Sequence, residues 1–177
     1  MNKLTLQEYL QLDWVEDLSE SLNTRVPVDD WYKEAEKLVG VLTVEDTQYT
    51  IEFEPIVYNN FKAINVGFSR IVDGNRSQEL TFNNNSGSAV LGAISNAIRE
   101  KLNDYEYDAV VFIAADNVPQ RMRIYNMIAN RFLQSSSHII ENIDLLDGRK
   151  TTILITKRVS NDDVEEFKQH LMSKNKL

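Results

Sequence analysis

The sequence predicts a single α+β (mixed α/β) domain with a central, mostly antiparallel sheet and helices on both faces. Three observations carry that reading. Near Val39 the spacing of apolar residues changes from about 3.6 to 2. Residues 108–114, Asp-Ala-Val-Val-Phe-Ile-Ala, form an unbroken apolar run of the kind found in strands covered on both sides. Residues 87–103 and 119–133 return to helical spacing on either side of that run. The chain has 177 residues, 42% of them hydrophobic, and a chain of that size buries about 70% of the surface exposed when unfolded.

Taken in order, Leu4, Leu6, Tyr9, Leu10, Trp14, Val15, Leu18 and Leu22 recur near helical spacing with carboxylates between them, so residues 5–22 read as an amphipathic helix. Pro27 marks a connector, and Asp29 or Asp30 is placed to cap a short helix over residues 31–38. Val41 and Thr43, then Tyr49, Ile51 and Phe53, alternate on either side of Glu45-Asp46-Thr47, which is a hairpin signal. A third alternating run over residues 61–72 follows the Asn59-Asn60 turn and ends at Asp73-Gly74-Asn75. The small and amide residues 83–88 then open the helix of 87–103.

After the buried run, Pro119 suits the first turn of a helix through 133. Residues 139–145 and 151–156 read as strands about the Asp147-Gly148 turn. Ser160 or Asn161 caps a last helix to about Met172, with acids at its start and lysines after its end.

Charge divides the chain unevenly. Overall, 19 basic residues face 27 acidic ones, net −8. Residues 1–60 hold 13 acids and 4 bases, net −9, and the remainder is net +1. This sets residues 1–37 apart as an acidic helical element packed on a domain of residues 38–177. The balance argues against nonspecific nucleic-acid binding, which needs clustered positive charge. An acidic third instead attracts a basic protein partner by long-range steering.

The chain has no cysteine, and its two histidines, His138 and His170, are far apart. Thiolate chemistry is excluded, and no metal cofactor is expected. No apolar run reaches the ~20 residues of a membrane span, and the first residues are too acidic for a signal peptide. A cytoplasmic protein is the expectation. Residues 135–138, Ser-Ser-Ser-His, lack the Gly-x-Ser-x-Gly elbow that a hydrolase reading would need.

Two segments carry candidate chemistry. Asn85, Ser86, Gly87, Ser88 and Ala89 form a small-residue loop entering a helix, where backbone N–H groups and the macrodipole favour an anion. The same residues also serve simply as a helix cap and turn. In Arg121-Met-Arg-Ile-Tyr125, arginine suits bidentate phosphate contact and Tyr125 is a candidate proton donor. A tyrosine spaced with Ile124, Ile128 and Phe132 equally suits a core position, and the arginines suit surface pairing. Glu52, Glu54 and Asp116 are candidate bases on strands or at a strand end, and alternating acids also suit a strand's wet face.

Three antiparallel strands, this loop with its helix, a buried strand, and a helix with a mid-helix tyrosine followed by further strands resemble the GNAT acyltransferase superfamily over about residues 38–157. That resemblance implies binding of acetyl-CoA, with the pyrophosphate held by Asn85 to Ala89 and the leaving thiolate protonated by Tyr125. Where family members carry Gln or Arg, then x-x-Gly-x-Gly or Ala, this loop has one glycine. The stretches Leu80-Thr-Phe, Val111-Phe-Ile-Ala-Ala-Asp116 and Arg121-x-x-x-Tyr125 are also similar to bacteriophage proteins of GNAT-like architecture. The resemblance therefore implies either an acyltransferase or a non-catalytic phage accessory protein that keeps the shape and binds a protein partner through its acidic third.

Overall fold

The computed structural model describes residues 3–5, 26–77, 81–83, 87–114, 119–135, 138–156 and 159–174. In chain order the elements are β1 (Lys3–Thr5), β2 (Asp30–Glu34), β3 (Lys37–Val44), β4 (Thr47–Tyr58), β5 (Phe61–Val72), β6 (Asn75–Ser77) and β7 (Thr81–Asn83). There follow α1 (Gly87–Leu102), β8 (Ala109–Ala114), α2 (Pro119–Ser135), β9 (His138–Asp144), β10 (Lys150–Thr156) and α3 (Asn161–Lys174). An eight-stranded, mostly antiparallel sheet has the order β2-β3-β4-β5-β8-β10-β9, with β6 paired to β5, and β1 pairs with β7 apart from it. This is the α+β class read from the periodicities. The expected helix of residues 5–22 lies outside the described residues beyond Thr5, and none of the described helices is long and apolar enough to cross a membrane.

The chain divides into two compact units, one of Met1–Phe53 with Gly67–Tyr105 and one of Glu54–Val66 with Glu106–Leu177. In the first unit the expected helix over residues 31–38 is a strand and a turn instead. β2 pairs antiparallel with β3, Trp31 opposite Gly40, and Ala35 takes a left-handed φ of 52° between them. Aromatic residues fit a pleated surface better than a helix, and the cross-strand partner here is shaped for one. A Cβ on Gly40 would stand 2.6 Å from Trp31 Cζ3. The indole tilts against Phe53 at 5.8 Å, and Lys101 Nζ lies 5.1 Å from its ring centroid. Asp30, a candidate helix cap, accepts the Trp31 N–H at 2.8 Å within the strand. β2 thus brings into the sheet residues that the charge pattern assigned to the acidic element of 1–37.

The β3–β4 hairpin matches its signal. Glu45 and Asp46 both have positive φ, 47° and 63°, as a two-residue turn twisted with its strands requires. Asp73 and Gly74 repeat the device between β5 and β6. α1 is buried nearly all round from Val90 to Ile98, Ser95 and Asn96 included, which explains its high share of small and aliphatic residues.

In the second unit β5 and β8 run parallel, Ala63 opposite Ala109 and Asn65 opposite Val111. Lys62 and Asp108 lock their starts: the Asp108 N–H donates to the Lys62 carbonyl at 2.7 Å, and the Lys62 N–H donates to the Asp108 carboxylate at 2.9 Å. β10 lies antiparallel between β8 and β9. Alternation then sends Val111, Ile153 and Ile155 into a core with Phe61, Phe167 and Leu171 of α3, whereas Phe112 and Thr152 meet Tyr125 and Asn126 of α2. The two helices therefore cover opposite faces of these strands. Ser160 caps α3 as expected, accepting the Asp163 N–H at 3.2 Å and donating to its carboxylate at 2.6 Å.

Candidate functional site

Gly87 is the first residue of α1, and the first turn carries no acidic side chain. The opening N–H groups of a helix have no intrahelical acceptor, so this end is electropositive. Ser88 lies in that first turn and Ala89 is half-buried. Asn85 and Ser86 lie outside the described residues, as does Asp116.

Glu52 stands on β4 opposite Val39 in the first unit. Its side chain, 17% exposed, is bound on both sides, by Lys37 at 3.6 Å and Arg76 at 3.4 Å. Arg76 also binds Glu34 and, at 3.1 Å, the Tyr32 hydroxyl. Its hydrogen bond to Glu34 is the largest cause raising the Arg76 pKa above its ordinary value. Through Lys37 and Arg76, Glu52 ties β4 to β3 and β6. Glu54, in the second unit, accepts from Asn65 at 3.3 Å.

Arg121 and Tyr125 lie one helical turn apart on α2 in the second unit. They are buried to 2% and 1% exposure. Tyr125 stacks on Phe112, ring centroids 5.2 Å apart, and the Arg121 guanidinium donates to the Tyr125 hydroxyl at 3.3 Å. With a guanidinium N–H on one lone pair, the phenol must turn its own hydrogen toward a different acceptor. Beside them the Thr152 hydroxyl contacts the side-chain oxygens of Asn126 at 3.3 Å and Asn142 at 3.0 Å. Beneath α2 there is thus a polar seam set in an apolar layer.

The sequence pointed to Arg121 and Tyr125 but not to Thr152, Asn126 or Asn142, whose meeting depends on the β9–β10 register. It also missed an open cleft of about 470 Å³ in the second unit, at the start of α3, where Tyr58 and Phe61 stand with Asp108, Asp163 and Glu166. Among the described residues, none of the predicted site residues lines that cleft. Among the described residues, no group of three or more His, Asp or Glu side chains is arranged to hold a metal ion. Comparison with known proteins finds no family model and no curated protein sequence that matches this chain.

Proposed function

We propose that this is a GNAT-like protein that binds an acyl-CoA or a related nucleotide at the start of α1 and transfers the acyl group to an amine. The observation that carries the reading is the helix beginning at Gly87, its first turn free of acidic side chains. Antiparallel β3, β4 and β5 precede it. Buried β8, α2 with Tyr125, and the β9–β10 hairpin follow. In this reading the first-turn N–H groups hold a phosphate of the nucleotide.

The test is thermal unfolding of the full chain with acetyl-CoA, CoA and free nucleotides. A ligand that binds only the native state at 100 times its Kd stabilises it by about 2.7 kcal/mol. A raised midpoint with acetyl-CoA that Gly87→Leu removes, with the ligand-free midpoint retained, supports the site. No shift with any ligand overturns it. A second reading is then favoured by the near-complete burial of Arg121 and Tyr125. That reading is an accessory protein of the same shape, of the kind found in bacteriophages, that meets a basic protein partner through its acidic first third.

A further inference from the structure

β9 is the last strand of the large sheet, and among the described residues no strand pairs with its outer edge. Which of its backbone groups face outward follows from the neighbouring ladder. The Thr156 N–H donates to the Asp108 carbonyl at 2.9 Å, so residue 156 turns its backbone toward β8. Alternation then turns Ile155, Ile153 and Thr151 toward β9, where they pair with Ile139, Glu141 and Ile143. The backbone groups of residues 138, 140, 142 and 144 are therefore the ones that point away from the sheet.

Edge strands are commonly guarded by charged side chains, proline or a bulge; β9, His-Ile-Ile-Glu-Asn-Ile-Asp, has neither proline nor lysine, and its central Glu141 is held by Lys168. Ile139 is 46% exposed there. On one face Asn142 shares the Thr152 hydroxyl with Asn126 of α2, and on the other Glu141 binds Lys168 of α3.

We infer that β9 pairs antiparallel with β9 of a second copy of this chain, about a twofold axis at Glu141. In that register all seven residues overlap. Position 140 exchanges hydrogen bonds with 142, and position 138, a histidine, with 144, an aspartate. Ile139 falls opposite the second copy's Ile143. Shifting the axis to residue 142 would instead set Glu141 against Ile143 and leave an end of the strand unpaired. Two glutamates meeting on the axis would repel, but each is held by its own Lys168 at 2.6 Å, a cation it shares with Glu165. The full overlap of seven residues and the pairing of Ile139 with Ile143 at both ends select a second copy as occupant over an unrelated strand.

Because the chain has no cysteine, one introduced thiol reports the register. Opposed residues at a site without ladder hydrogen bonds have Cα atoms about 4.5 Å apart, within disulfide range. Under mild oxidation Glu141→Cys is expected to form a linked dimer far faster than Val57→Cys, whose position is exposed on β4. Sedimentation velocity of the unmodified chain should show a concentration-dependent monomer–dimer equilibrium, and Ile139→Glu should weaken it about tenfold or more. A chain that stays monomeric from micromolar to submillimolar concentration overturns the inference. So does a dimer that Ile139→Glu leaves intact, or cross-linking at residue 141 no faster than at residue 57.

Discussion

The two units hold their cations in opposite ways. In the first, Arg76 sits among Glu34, Glu52 and Tyr32 with its side chain one-third exposed. In the second, Arg121 is almost wholly buried beside an aromatic hydroxyl. The exposed network has more ion pairs, yet water competes for each of them and such pairs contribute about 0–1 kcal/mol. A buried guanidinium has given up its hydration, so every contact it keeps must replace water. The number of ion pairs is therefore a poor guide to where this protein would fail.

The largest expected effect is at the buried cation. Arg121→Ala removes the donor to Tyr125 and opens a void beneath α2, and should cost about 2–4 kcal/mol in urea unfolding. Arg121→Met fills most of that void without a charge and should recover a good part of the loss. If Arg121→Ala costs no more than Arg76→Ala, the contrast between the units collapses.

An intermediate effect sharpens the comparison from the other side, because contact shape rather than charge holds β2 to β3. Gly40→Ala places a Cβ 2.6 Å from the Trp31 ring, in a strand that cannot move without breaking its register with β2 and β4. Overpacking of this kind costs about 1–3 kcal/mol. Combining it with Trp31→Val should return most of that loss, and a double variant no more stable than Gly40→Ala alone would count against the wedge.

How much of this was legible in the sequence depends on which physical term decided each element. Alternation placed β3, β4 and β5 and the continuous apolar run placed β8, because burial on one face or two leaves a direct imprint on residue order. β2 was read as a helix because Asp30 resembles a cap, and the deciding contact is a tryptophan lying on a glycine nine residues later, which no local period records. Gly87 at the start of α1 was legible from the small-residue loop. The burial of Arg121 was not, although it shares a helix face with Ile124, Tyr125 and Ile128. With Arg123 beside it, the segment reads as a polar surface. Asn126, Thr152 and Asn142 were invisible for a related reason: they are brought together by strand register, which is a tertiary property.

The smallest effect tests whether exposure, rather than membership in one unit or the other, sets the value of a charge. Lys168 belongs to the second unit, yet it is only half-buried, at 2.6 Å from both Glu141 and Glu165. Its hydrogen bond to Glu141 is the largest cause raising its pKa above 10.5, followed by that to Glu165. A lysine whose pKa rises on folding adds stability that is fully present below its unfolded pKa and disappears as pH climbs through the folded value. Unfolding of the native chain and of Lys168→Met should therefore differ by a constant amount under about 1 kcal/mol around neutral pH, and the difference should shrink as pH rises above 10.5. Added salt should reduce it as well, since screening weakens pairs that water already reaches. A difference of several kcal/mol would place Lys168 with Arg121, and the dividing line would then run between the units instead of between surface and core.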